Sequence, residues 1–241
     1  MTAMSGAPAA PATPRLAASL ILLRDGTEGL EVMMVERTGS ASYAAGKFVF
    51  PGGTVDAADA DYAGADAALR VAAIREAYEE CGLLMVDPMP AEIAPAQDFA
   101  ALLQAGGCRP VTQALVPFAH WITPPHLPKR FDTHFFLAMA PLNQVAAADL
   151  REVVSAVWLR PRAVVAAAEA AELNLMFATY MNLRWLARFD LAEAALAAAQ
   201  TRPIVTVIPE PADSPEGRIF RIPEAAAYGE TAVLEHRFRR N

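Results

Sequence analysis

Residues 65–82, ADAALRVAAIREAYEECG, constrain the fold more than any other stretch of the chain. Alanine, leucine, glutamate and arginine dominate it, and all are strong helix formers. Leu69, Ala73 and Ala77 recur at four-residue spacing and define an apolar face, and Gly82 supplies a C-terminal cap. The end of this helix carries Arg75, Glu76, Glu79 and Glu80. The three glutamates stand three or four positions apart, so they share one face. Like charges at that spacing repel by about 0.2–0.5 kcal/mol per pair. A divalent cation reverses the sign of that interaction, and hard ions such as Mg²⁺ or Mn²⁺ take carboxylate oxygens. A solvated acidic face with Arg75 as local partner is the alternative reading of the same residues.

The segments around this helix read as a mixture of strands and helices. RLAASLILLRDG (15–26) and LEVMMVERT (30–38) predict two strands joined by a hairpin loop at Gly26–Gly29. KFVFPGG (47–53) is a short apolar strand stopped by Pro51 and two glycines, and the acidic stretch 56–66 is a loop leading into the helix. Met85–Pro95 is a proline-broken loop, and DFAALLQAGG (98–107) is a short helix. Two further strands at 114–125 and 130–140 flank the turn PPHLPKR, and a third follows at 152–161. From Pro161 to Gln200 the chain is mostly helical, with 175–200 as one long helix, before strand-like pieces at 203–211 and 217–225. This order predicts an α/β (α+β) domain. Residues 1–14 read as a disordered lead, and one domain spans 15–241 with a helical extension at about 161–200.

Bulk properties narrow the function. Hydrophobic residues make up 54% of the chain and the mean hydropathy is +0.24, enough for a sizeable core. No run of 18 or more apolar residues occurs, so no membrane partner is expected. The net charge of −7 argues against a nucleic-acid partner, since phosphate-backbone binding needs clustered Lys and Arg. Cys81 and Cys108 form no disulfide framework, which fits a reducing cytoplasm. His120, His126, His134 and His236 lack a Cys or His partner at metal-ligand spacing, so none is assigned as a ligand. Asp132 and His134 alternate along one strand and hence share a face.

Phe50-Pro51-Gly52-Gly53 at a strand end, then Arg75-Glu76-Ala77-Tyr78-Glu79-Glu80-Cys81-Gly82-Leu83 on the helix, resembles the Nudix box of the Nudix hydrolase family. Gly53 takes the first position of the pattern, and Asp59 stands where the family has its first glutamate. Fifteen residues separate Asp59 from Arg75 where the pattern has seven, so Asp59 is not assigned as a ligand. The resemblance implies the Nudix fold, a mixed sheet sandwiched between helices, here with extra C-terminal helices. It implies a pyrophosphohydrolase that uses Mg²⁺ or Mn²⁺ on a small-molecule nucleotide diphosphate, and a homodimer. By carry-over, Glu76, Glu79 and Glu80 are metal ligands, joined by the carbonyl of Gly52 or Gly53. Arg75 positions the glutamates, with Asp56 as a loop partner, and Glu152, just before the strand VVSAVWL, is the candidate general base, with a glutamate of the box itself as the alternative.

WITPP (121–125), RFDTHFFLA (130–138), the C-terminal helices and the IPEP and RIP stretches resemble the acyl-coenzyme A diphosphatase branch of that family. That resemblance implies coenzyme A or its acyl esters as substrate. Lys129, Arg130 and Asp132 are the candidate substrate-binding residues. ADP-ribose, nucleoside-diphosphate sugars and dinucleotides are the alternative substrates. A non-catalytic nucleotide sensor is the alternative function, and the intact glutamate set argues against it.

Overall fold

Strand β1 (Arg15–Gly26) explains the architecture. Its centre, Leu20 to Leu23, is an unbroken apolar run because both of its faces are covered. Leu20 and Leu22 face one core and Ile21 and Leu23 face the other, as the two-residue period of a strand requires. In the computed structural model, which describes residues 11–39, 44–62, 67–93 and 98–239, this strand lies inside an eight-stranded mixed sheet.

β2 (Gly29–Arg37) returns from β1 through the expected hairpin. The predicted strand 47–53 is two short ones, β3 (Phe48–Val49) and β4 (Gly52–Thr54), because the chain leaves β2 at Phe50-Pro51 and joins β1. The acidic stretch holds a 3-10 turn at Ala57–Asp61, and residues 63–66 lie outside the described region. Helix α1 (Ala68–Cys81) ends where Gly82 enters the left-handed region at φ 71° and donates its amide to Tyr78 O. The proline-broken loop contains β5 (Val86–Asp87). Asp98 caps α2 (Phe99–Gly106) by accepting from the Ala101 amide at 3.0 Å. β6 (Arg109–Pro110) pairs with β5.

β7 (Val116–Ile122), β8 (Phe131–Met139) and β9 (Val153–Leu159) follow as expected. β8 runs parallel to β1 and antiparallel to β7, while β9 pairs with the outer edge of β2. The helical segment is three helices, α3 (Pro161–Glu169), α4 (Phe177–Leu186) and α5 (Ala192–Gln200). The single helix expected over 175–200 is therefore corrected. Asp25 of β1 caps the Ala192 amide at 2.8 Å, and Asp190 O accepts from the Leu30 amide, so the hairpin holds residues 187–191 out of helical geometry.

The chain closes with β10 (Thr206–Val207), which extends the main sheet beside β7, and a three-stranded ribbon of β11 (Glu210–Ser214), β12 (Gly217–Arg221) and β13 (Ala232–Leu234). α1 and α2 cover one face of the sheet, and α4 and α5 cover the other. The apolar stripe of α4, including Tyr180 and Leu183, packs into that second core. This is the expected mixed sheet between helices. The lead at 1–14 falls outside the described residues up to residue 10. No helix among the described residues is long and apolar enough to cross a membrane.

Candidate active site

Glu76 and Glu80 of α1 meet β4, where β1 pairs with β4 at Ala18–Gly53 and Ser19–Gly52. Two glycines stand here: the first has no room for a side chain, and the second faces the Glu76 carboxyl. A Cβ on Gly52 would lie 2.6 Å from Ala18 O and 2.7 Å from Ser19 Cα, and one on Gly53 would lie 2.4 Å from Glu76 Oε1. The bare backbone lets α1 press its acidic face against the sheet.

Glu80 is 3% exposed. The Gly52 amide donates to its Oε2 at 3.0 Å and Arg37 Nη1 donates to its Oε1 at 3.1 Å. Burial is the larger effect, and it pushes the carboxyl up to about 8 against these two donors. Glu76 is raised to about 7, by burial first, with Arg75 opposing and Glu79 and Glu152 adding to the rise. Glu79, 40% exposed at its side chain, is raised by burial as well. All three carboxyls are thus harder to ionise than free acids, because burial outweighs the cations beside them.

Arg75 organises the group. Its guanidinium donates to Asp59 at 2.9 and 3.1 Å, to Glu76 at 2.8 Å, to Glu79 at 2.9 Å and to Thr54 O at 2.9 Å. Burial alone would lower its pKa, but Asp59 and Glu76 outweigh burial and keep it charged. Asp56, the expected loop partner, is 3.9 Å away. The dominant partner is Asp59, which is 2% exposed and also accepts from the Asp56 amide at 2.8 Å. The extra residues follow Asp59 in the chain and leave it in place under the Arg75 fork. Its signal was its position after Gly53, obscured by the length of the insertion. Asp59→Ala is expected to lower stability by about 1.5–3 kcal/mol, the worth of a hydrogen bond to a charged group. It should also reduce turnover by freeing the Arg75 side chain. Thermal melts and kcat check both, and an unchanged protein would show that Arg75 needs only the glutamates.

Glu152 reaches the same place from the other side of the sheet edge. Its carboxylate, 65% exposed, lies 3.5 Å from Arg37 Nη2, so Arg37 bridges Glu80 and Glu152. Asp149 builds the loop that presents it, accepting from the amides of Arg151, Glu152 and Val153 at 3.0–3.2 Å. Arg37 and Asp149 were not picked out from sequence, where each is one charged residue among many near a strand end.

Lys129, Arg130 and Asp132 lie on and just after the β7–β8 turn. Arg130 donates to Thr123 O at 3.0 Å and Ala12 O at 2.6 Å, tying the β7–β8 turn to the start of the chain. Lys129 is exposed on that turn. Asp132 turns to His120, with Nε2 and Oδ1 2.5 Å apart.

A cluster of carboxylate and carbonyl oxygens suits a hard divalent cation and is poor for a soft one. The raised carboxyls of Glu76 and Glu80 agree, because a cation supplies the charge that Arg75 and Arg37 leave short. The family model described as the NUDT19 Nudix domain matches residues 60–186. The chain is 26% identical to acyl-coenzyme A diphosphatase NUDT19 of Homo sapiens, over 67% of this chain and 62% of that one. It therefore spans less than two thirds of the human protein's length. The crystal structure of a NUDIX hydrolase from Alicyclobacillus acidocaldarius superposes with a TM-score of 0.71 at 30% identity, covering 79% of this chain and 99% of the other. The match to the family model takes in more than half of the 241 residues, and this chain belongs to the Nudix hydrolase family.

Proposed function

We propose that this protein hydrolyses the diphosphate linkage of coenzyme A or its acyl esters, with Mg²⁺ or Mn²⁺ held by Glu76, Glu79, Glu80 and a backbone carbonyl of the Gly52-Gly53 pair. Membership of the family supports pyrophosphohydrolysis. The choice of coenzyme A rests on the resemblance to the human diphosphatase. The observation that supports the metal assignment is the crowding of half-buried Glu76 and buried Glu80, both harder to ionise than free acids, against glycines at one strand end.

In the reaction, water attacks one phosphorus, the bridging P–O bond breaks, and two phosphate monoesters leave. A cation held by these glutamates would neutralise charge on the phosphate oxygens and polarise the P–O bond. The protein's own residues do the rest. Arg75 fixes Glu76 and Glu79, and Asp59 fixes Arg75. Arg37 and the Gly52 amide orient Glu80. Glu152, exposed and steadied by Asp149, is the group we assign to take the proton of the attacking water.

A hydrolysis screen with Mg²⁺ and Mn²⁺ against coenzyme A, acyl-coenzyme A, ADP-ribose, nucleoside-diphosphate sugars and dinucleotides tests the reading. Release of 3′-phosphoadenosine 5′-phosphate from a coenzyme A ester is the expected result. Preferred cleavage of another member of the set would reassign the substrate, and no cleavage of any would leave a nucleotide-binding sensor.

The same carboxyls predict a pH dependence of stability. Glu76 and Glu80 have folded pKa values of about 7 and about 8 against an ordinary 4.5. Between 4.5 and about 8 the folded chain therefore holds protons that the unfolded chain has released, and stability falls as pH rises through that window. Chelator-treated protein should melt higher at pH 5.5 than at pH 8.5. Mg²⁺ should raise Tm more at pH 8.5, where the ligands are ionised in both states. A Mg²⁺ effect that is larger at pH 5.5 would remove these glutamates from the cation site.

A further inference from the structure

Neighbouring strands of the main sheet align one residue each in a single row: Thr206 of β10, His120 of β7, His134 of β8, Ala18 of β1 and Gly53 of β4. The two histidines, fourteen positions apart in the chain, are brought opposite each other by the antiparallel register. Their rings stack with centroids 4.1 Å apart at 19°. This corrects the expectation that no histidine has a partner. Metal-ligand spacing on adjacent strands is set by pairing register, which sequence distance does not display.

Asp132 lies on the same face as His134, two residues before it. Its Oδ1 is 2.5 Å from His120 Nε2 and 3.7 Å from His134 Nε2. One ligand atom from each of the three residues falls within 4.8 Å of the others. Thr206 Oγ1 is 2.8 Å from His120 Nδ1. With an ion in place of the proton between Nε2 and the carboxylate, a threonine oxygen accepting from Nδ1–H would hold the ring in the tautomer that ligates through Nε2. That is the arrangement by which a second group sets the tautomer of a ligating imidazole.

From this geometry we infer that His120, Asp132 and His134 form a binding site for a divalent transition ion of the zinc class, oriented by Thr206 and separate from the glutamate cluster. The donor set decides the class: two imidazoles and one carboxylate suit zinc, whereas magnesium takes oxygens alone. A tetrahedral ion with ligands at about 2.0–2.2 Å sets them about 3.4 Å apart. The observed 2.5 and 3.7 Å contacts of Asp132 bracket that spacing, and the stacked rings must tilt toward one another for both lone pairs to reach one ion. The side chains are 17%, 30% and 32% exposed, so a fourth position opens to solvent and can take water or an anionic group of a ligand. Two strand spacings of about 4.8 Å place the His134 backbone roughly 10 Å from Gly53. Ala18 and His134 lie on the sheet face that α1 covers, so the ion would flank the glutamates on their own side.

The test uses the full chain, stripped with chelator and titrated with Zn²⁺ by calorimetry and with Co²⁺ by visible absorption. One Zn²⁺ equivalent is expected in the wild type and in Glu80→Gln, resistant to millimolar Mg²⁺, with intense tetrahedral-type Co²⁺ bands. Its affinity should fall at least about 100-fold in His120→Gln and His134→Gln. In Thr206→Val the fall should be about 10–100-fold, the usual effect of losing a group that orients a ligand. In the wild type, NMR should show Zn²⁺ moving the ring protons of His120 and His134 and sparing His126 and His236. This measurement needs no variant to fold. Zn²⁺ binding that survives both histidine changes, or that disappears in Glu80→Gln, would overturn the site. So would unmoved His120 and His134 signals.

Discussion

Replacing Glu80 with glutamine is expected to lower kcat by at least about 100-fold with the fold intact, and Glu79→Gln should do the same. The size is that of removing one group placed to stabilise developing charge in a dry site. Glutamine matches glutamate in shape. Its carbonyl oxygen can still accept from the Gly52 amide, which now donates to Glu80 at 3.0 Å. What disappears is the negative charge, and with it a cation ligand. Arg37 would keep Glu152 as its partner. Burying a neutral amide costs less than burying a carboxylate, so Tm should hold or rise in metal-free protein. Rates with saturating Mg²⁺, alongside melts with and without it, measure this. Both variants working within about threefold of wild type would end the assignment of this helix face.

The second large effect is structural. Gly52→Ala should lower stability by about 1–3 kcal/mol, the cost of forcing a methyl group into a filled space. For a domain of this size that is roughly 2–12 °C in Tm. The atoms in the way are Ala18 O at 2.6 Å and Ser19 Cα at 2.7 Å, both backbone of β1. β1 cannot yield easily, since Leu20, Ile21, Leu22 and Leu23 are fully buried. β4 must move instead, and the Gly52 amide leaves Glu80, so activity should fall with stability. Gly53→Ala offers the contrast. Its methyl would meet the Glu76 carboxyl, the far end of a side chain. Stability should change less there, while turnover still falls through a displaced Glu76. Equal melting temperatures for Gly52→Ala and wild type would show that the β1–β4 contact is softer than its distances imply.

Local patterns were legible in the sequence. α1, its glycine cap, the β1–β2 hairpin and the glutamate face each follow from a few adjacent residues, and the structure places them as read. The two-sided burial of β1 was also present as an unbroken apolar run. What escaped reading depends on long-range register. The break before α5 comes from Asp25, far upstream. The grip of Asp59 on Arg75 spans sixteen positions across an insertion. The His120–His134 pair exists because two strands meet at one alignment rather than another. Glu152 was readable as an acid before a strand, but its link to Glu80 runs through Arg37, and no sequence pattern joins those three.

β1 is hydrogen-bonded along both edges and covered on both faces, and it carries the floor under Gly52 and Gly53. Its central amides should therefore be among the last to exchange with deuterium, releasing only when the whole sheet opens. The Glu152 loop, which Asp149 secures from an exposed position, should exchange early. Slow and fast clocks then sit either side of Arg37: a strand that keeps its shape until the protein unfolds, and a loop expected to open many times before then.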